Sequence, residues 1–377
     1  MLRRSSLPSV DPFLIWLVTV VAMASALPAR GVAAGWFGVA ADLAIALLFF
    51  LHGAKLSRAA IVDGIGNWRL HGLVFASTYG LFPLVGLAVT GLIGGVIDPR
   101  LGAGLLFLTL LPSTVQSSIA FTALARGNVA GAVCSASLSN LLGIVLTPLL
   151  VGLLMHSAGA GAVSSWGSAR TIALQLLVPF VGGHLLRPVI GGWVDRHKTI
   201  LQPVDRGSIL LVVYTAFSAA VVNGIWTKVT VPQLGLLLVV SALILAVVMG
   251  VNVMVARLVG LTRADAIVLL FCGSKKSLVS GVPMAAALFA PATVGMVVLP
   301  LMIFHQLQLF ACAVLAGRFG RSAALRDAAI RVPQGEDQAA HVAAARGMVI
   351  PEACMPGVVA NLALLGRHAA TLSGGSD

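Results

Sequence analysis

Long apolar runs, separated by short polar or basic connectors, repeat along the chain from near Pro12 to near Gly317. Crossing the hydrocarbon core of a bilayer takes about 20 helical residues. Ten stretches are of that order: 12–29, 37–54, 71–96, 101–125, 128–155, 168–192, 206–226, 232–257, 263–290 and 292–317. None shows the ten-residue alternation of a barrel strand, so helices must satisfy the backbone inside lipid. The pattern therefore predicts an all-α membrane protein with ten transmembrane helices. Composition agrees: of 377 residues, 59% are hydrophobic and 10% charged, against about 25% charged in soluble domains.

Charge then gives orientation. The N-terminus and even-numbered loops hold twelve basic residues: Arg3, Arg4, Lys55, Arg58, Arg69, Arg126, Arg187, Arg196, Lys198, Arg206, Arg257 and Arg263. The odd loops hold four: Arg30, Arg100, Arg170 and Lys228. Both termini are predicted to be cytoplasmic. The formal net charge of +12 is thus a matter of topology, and with no basic run interleaved with aromatics it does not point to nucleic acid. An alternative stands at the start, where Arg3 and Arg4, an apolar stretch and Ala24-Ser25-Ala26 have the order of a signal peptide. Cleavage there would leave nine spans. The cysteines Cys134, Cys272, Cys312 and Cys354 lie far apart and read as small buried hydrophobes rather than a disulfide or metal set. The segment 321–377 holds mixed charges and no span of sufficient length; it reads as a cytoplasmic tail, largely disordered, with a weak helix near 356–370.

Ten spans divide into five plus five, giving domains 1–160 and 161–320, and an odd number per half inverts the second half relative to the first. Irregular stretches recur at matching places. The fourth span reads LLFLTLLPSTVQSSIAFTALA, where Pro112 removes a donor and Ser113, Thr114, Gln116, Ser117 and Ser118 crowd polar groups after it. The ninth reads FCGSKKSLVSGVP, with Gly273 and Ser274 before Lys275 and Lys276, and Ser277, Gly281 and Pro283 after them. The two breaks open 100 and 104 residues into their halves. Paired interrupted helices mark the midplane site of inverted-repeat transporters, because an unwound turn leaves backbone groups that must meet protein, water or ligand. Two simple kinks, with Ser and Thr satisfying the backbone, are the alternative.

HGAKLS (52–57), LPSTVQSSIAFT (111–122) and FCGSKKSLVSGVP (271–283) resemble the bile acid:sodium symporter superfamily. The match is with its SBF-like branch, which includes bacterial membrane proteins and the seventh member of solute carrier family 10. The resemblance covers roughly 10–318, and it implies a panel domain (helices 1, 2, 6 and 7) and a core domain (helices 3–5 and 8–10). It also implies that discontinuous helices 4 and 9 cross at their unwound centres, and that the protein sits in a bacterial inner membrane. In sodium-coupled relatives the crossing binds two sodium ions through helices 4, 5 and 9. Here Ser139 and Asn140 stand where such relatives carry polar ligands on helix 5, while Phe271 and Lys275 stand where they carry a Glu and a Gln on helix 9. A fixed or titrating ammonium in the place of a cation leaves Na+ or H+ open as the coupling ion, with no cofactor implied.

A charge at the centre of a membrane helix costs at least about 2.5–3.5 kcal/mol. Lys275 and Lys276 lie about 12 residues from Arg263 and about 14 from Ala290, or roughly 18–21 Å along a helix. Snorkelling, a structural pairing, and a role at the site are the three readings. Two half-helix N-termini and two ammoniums make a positive midplane, which selects a small organic anion. The functional expectation is a secondary active transporter working by alternating access, with Ser113, Thr114, Gln116, Ser117, Ser118, Asn140, Ser274, Lys275, Lys276 and Ser277 at the site. Asp42 and His305 are further candidates for its lining. Gln306, Gln308, Gln175, His184 and Asn252 read first as interhelical hydrogen-bonding groups. Two other functions are weighed: a membrane scaffold acting through the tail, and an intramembrane enzyme using Ser274 or Ser277 with a lysine base.

Overall fold

The computed structural model describes residues 12–55, 67–155, 166–330, 333, 335–345 and 347–372. Arg3, Arg4, Arg58 and the end of the HGAKLS motif lie outside the described residues, as does the side chain of Gln175. Among the described residues the regular elements are all helical, with no strand. In order the helices are α1 (Pro12–Ala26), α2 (Gly31–Lys55), α3 (Trp68–Ala76), α4 (Phe82–Ile93), α5 (Pro99–Leu110), α6 (Gln116–Leu124), α7 (Val129–Leu150), α8 (Trp166–Arg196), α9 (Lys198–Val222), α10 (Ile225–Lys228), α11 (Val231–Leu258), α12 (Arg263–Gly273), α13 (Leu278–Leu288), α14 (Pro291–Ile330), α15 (Glu336–Ala345) and α16 (Met355–Leu372). A π-helical turn, Ser77–Leu81, joins α3 to α4, and another, Val151–Met155, extends α7.

Among the described residues eight helical segments are long and apolar enough to cross a membrane. Among the described residues the first and fourth expected spans are shorter apolar helices, α1 (Pro12–Ala26) and α5 (Pro99–Leu110). The fourth is short for a local reason. Pro112 disfavours helical torsions in the residue before it, and Leu111 is extended at φ −77, ψ 157. Residues 111–115 carry no helix before α6 begins at Gln116. At the ninth span α12 stops at Gly273, and Ser277 caps α13 by accepting from the Ser280 N–H at 3.1 Å.

One compact unit runs to Ala313 apart from Leu124–Arg126. Within it, α2 packs on α8 and α9, and α1 packs on α9. Leu51, Ala54, Val194 and Leu201 form the buried cluster of that group. The approach of α2 to α8 is backbone to backbone. A methyl on Gly53 would collide with the carbonyl of Phe180, and one on Gly183 with the carbonyl of Phe50. A second cluster, built on Leu70, Val74, Ala132, Ala136, Ala256, Val268, Leu269 and Cys272, joins α3, α7, α11 and α12. Small residues again permit close helices. The segment Arg263–Leu288 is set apart by its surroundings: 94% of its apolar window is buried, against 22–39% in the other seven segments. Protein, not lipid, surrounds the two lysines. Trp16, Val32, Trp36, Leu92, Val189 and Val231 are exposed, as a lipid-facing surface requires.

The second unit holds Leu124–Arg126 and the chain from Val314. In the region where composition predicts one weak helix, α15 and α16 form and pack on each other. Glu336 and Asp337 favour the N-terminal turn of α15. Gly347, at φ +72, ends the helix, with the Gly347 and Met348 N–H groups returning to Ala344 and Ala343.

Candidate functional site

The non-helical segments 111–115 and 274–277 lie against each other. The Ser277 N–H donates to the Pro112 carbonyl at 2.9 Å. The last carbonyls of α12 are each taken by a serine from elsewhere. Ser118 Oγ donates to Phe271 O (3.2 Å), Ser113 Oγ to Cys272 O (2.6 Å) and Ser77 Oγ to Gly273 O (2.8 Å). On the other flank the Ser113 N–H donates to Ser139 Oγ at 3.1 Å, and Tyr79 Oη donates to the Ser139 carbonyl at 2.6 Å. Asn252 Nδ2 donates to Ser274 Oγ at 3.0 Å. These hydroxyls and amides answer backbone groups that a continuous helix would have satisfied itself.

Both lysine side chains are fully buried. Neither forms an ion pair with a carboxylate among the described residues, and their surroundings differ. Lys275 Nζ donates to Ser117 Oγ at 3.2 Å and stands 4.6 Å from the centre of the Phe121 ring and 6.0 Å from that of Phe271. Lys276 Nζ donates to two main-chain carbonyls, Leu111 O at 2.7 Å and Thr78 O at 2.8 Å, and lies 4.1 Å from the centre of the Phe82 ring. Gln308 grips the backbone at the same place: its Oε1 accepts from the Lys276 N–H (2.8 Å) and its Nε2 donates to the Lys276 carbonyl (2.9 Å).

A cavity of about 580 Å³ opens beside this crossing. Thr114, Gln116, Ser117, Asn140, Ser277 and His305 line it, together with Ser280 and Ser137. The start of α6 and the start of α13 both face it. Opposite, α2 and α9 contribute His52, Lys55, Gln202, Asp205 and Arg206. Lys55 and Asp205 form an ion pair, so the one carboxylate of the lining is already engaged by a cation. Within the site Thr114 Oγ1 is 2.8 Å from Ser117 Oγ and 3.0 Å from Ser118 Oγ, and Ser280 Oγ donates to Asn140 Oδ1 at 2.8 Å.

The predicted residues thus divide. Thr114, Gln116, Ser117, Asn140, Ser277 and His305 face the cavity; Ser113, Ser118, Ser274, Lys275 and Lys276 lie behind its surface. Asp42 is exposed on α2 and is not part of the lining. Neither Ser274 nor Ser277 bonds to a lysine amine; the serine that does is Ser117. Sequence reasoning passed over the π turn with Ser77, Thr78 and Tyr79. The signal was there, since STYG precedes Pro83 just as a polar cluster adjoins Pro112. It also passed over the pair formed by Lys55 and Asp205, which are 150 residues apart.

The sequence pattern of the SBF-like CPA transporter family matches residues 11–321, which include every element of the crossing and the cavity. The chain belongs to that family. Among relatives of this SBF-like protein, "Putative symporter YfeH" of Escherichia coli K12 is 56% identical over 312 residues, covering 83% of this chain and 93% of the relative. "Uncharacterized protein PA2026" of Pseudomonas aeruginosa is 54% identical over 315 residues, covering 82% and 93%. "Sodium/bile acid cotransporter 7" of Rattus norvegicus is 28% identical over 320 residues, covering 80% and 90%. The resemblance read from the three motifs holds, and the SBF-like chain is an integral membrane protein and a transporter.

Proposed function

We propose that this transporter moves a small organic anion by alternating access, and that the cavity is its binding site in one of the two access states. The observation that carries the reading is the charge of the cavity. Lys55, Arg206, His52 and His305 line it, and its one carboxylate, Asp205, is paired with Lys55. The N-terminal ends of α6 and α13 add positive potential, and the Lys275 ammonium lies one hydroxyl, Ser117, behind the wall. An anionic head against Thr114, Ser117, Asn140 and Ser277 would find donors on every side.

In this reading the chain has ten spans in two inverted halves, 1–160 and 161–320, with interrupted spans 4 and 9 crossing at 111–115 and 274–277. The group α1, α2, α8 and α9 is the panel, and it moves against the core about that crossing. The packing of those four helices on one another supports the division. The coupling ion is Na+ or H+. The printed names of the Escherichia coli and rat relatives, a symporter and a sodium/bile acid cotransporter, support coupled transport. A lysine behind Ser117 supports a proton-exchanging group in place of a bound cation. The termini are cytoplasmic and the membrane is a bacterial inner membrane, in keeping with the distribution of basic residues.

The test is a ligand-stabilisation screen of the purified protein against organic carboxylates, sulfonates and phosphates, followed by uptake into proteoliposomes under imposed Na+ or H+ gradients. An anion that raises the unfolding temperature and is then accumulated establishes the reading. Stabilisation by organic cations alone overturns it. Lys275→Ala should insert normally and lose accumulation.

A further inference from the structure

The two adjacent lysines are not equivalent, and the surroundings of Lys276 are those of a bound cation. Its ammonium is fully buried, away from the lining of the cavity, and its partners are neutral. Two main-chain oxygens, Leu111 O and Thr78 O, accept from it at 2.7 and 2.8 Å. The faces of Phe82 and Tyr79 stand 4.1 and 5.9 Å from Nζ, a geometry that attracts ammonium through the ring quadrupole.

Why these carbonyls are open follows from two prolines. In the turn Ser77–Leu81 hydrogen bonds run to the fifth residue on, as the Phe82 N–H to Ser77 O bond records. The corresponding donor for Thr78 O would be the nitrogen of residue 83, which is Pro83 and has no hydrogen. Leu111 O is released because Pro112 turns Leu111 out of α5. Each orphan oxygen would cost free energy in a dry interior, and one ammonium answers both.

We propose that the Lys276 ammonium fills a built-in monovalent-cation site, formed by the Thr78 and Leu111 carbonyls and the Phe82 and Tyr79 rings, and that Lys276 is a positioning residue locking the π turn to both non-helical segments. It does not touch the transported substrate. The third span, the break after α5 and the break after α12 are tied at one point, with Gln308 of α14 holding the backbone of the same residue.

The experiment truncates the side chain and supplies the cation from solution. Lys276→Ala in detergent should unfold several degrees below the parent protein, and n-propylammonium at tens of millimolar should recover half or more of that loss. Propanol, of similar length but uncharged, should recover none. Sodium or potassium recovering the variant would equally support a cation site on these oxygens. The parent protein and Lys275→Ala should not shift with the amine. Equal recovery by propanol, or no recovery by any cation, overturns the proposal. If Lys276→Ala cannot be purified, Lys276→Met decides: it fills the same space without charge, and a parent-like unfolding temperature would mean that the ammonium holds nothing. None of these readouts requires transport, so the result stands whether or not the substrate is an anion.

Discussion

The main-chain N–H of Ser277 donates to the main-chain carbonyl of Pro112 at 2.9 Å, so the two non-helical segments are joined backbone to backbone. Their meeting depends on the absence of a side chain from α7. A methyl on Gly143 would stand 2.6 Å from Pro112 Cβ and 2.6 Å from Tyr79 Oη. Gly143→Ala is therefore expected to push Pro112 away from α7 and to strain the bond from Tyr79 to Ser139. Overpacking of this kind costs about 1–3 kcal/mol. Thermal unfolding in detergent should show the loss, and transport should fall with it. A variant as stable and active as the parent would mean that the break is looser than its contacts indicate.

Ser117 is the contact between a buried charge and the cavity. Ser117→Ala removes the acceptor that Lys275 reaches at 3.2 Å, and hydrogen bonds to charged groups contribute about 1.5–3 kcal/mol. Turnover in proteoliposomes is expected to drop roughly 10- to 100-fold, with Ser117→Thr retaining most of it. Activity in the Ala variant equal to that of the parent would separate Lys275 from the transport cycle.

How much of this was legible beforehand depends on what kind of signal each residue leaves. The spans were readable because lipid demands an unbroken apolar run, and the interruptions because proline beside Ser and Thr contradicts it. Pro112 and Gly273 announced the ends of α5 and α12. The partners of the lysines were not readable. Thr78 and Leu111 act through carbonyl oxygens, which every residue has, so sequence does not mark them. Gln308 was visible as a polar residue in an apolar helix, yet only its position identifies both groups of Lys276 as its partners. Lys55 ends α2 and Asp205 stands just before the expected span 206–226, where charged residues are ordinary, so their common cavity comes from packing alone.

Gln308 is predicted to matter through geometry rather than charge. Gln308→Leu leaves the buried N–H and carbonyl of Lys276 without partners, at about 1–3 kcal/mol for each. Gln308→Glu keeps an acceptor for the N–H and loses the donor to the carbonyl, so it should fall between the parent and the leucine variant. Chemical unfolding of the three proteins tests that order. If Leu and Glu cost the same, the N–H bond contributes nothing and Gln308 acts only through its Nε2.

The family pattern ends at residue 321, before α15 and α16. Deleting residues 325–377 is expected to leave substrate accumulation unchanged in proteoliposomes. Loss of transport with normal insertion would favour a role for the tail in the activity.

The ion pair between Lys55 and Asp205 sets how positive the cavity is. Lys55 comes from α2 and Asp205 from α9, with 27% and 17% of the two side chains exposed. The salt bridge is thus partly screened, and its loss need not unfold the protein. Asp205→Asn keeps the shape, removes the one carboxylate of the lining and releases the Lys55 ammonium toward the cavity. An anionic substrate should then bind roughly 3- to 10-fold more tightly. The gain should shrink as salt is raised, because the pair lies within reach of solvent. Lys55→Gln should act in the opposite direction, weakening the anion by leaving Asp205 unpaired beside it. Titrating ligand-induced stabilisation in the three proteins at two ionic strengths measures all of this. Tighter binding in the lysine variant and weaker binding in the aspartate variant would reverse the sign, and the cavity would have to be read as a site for a cation.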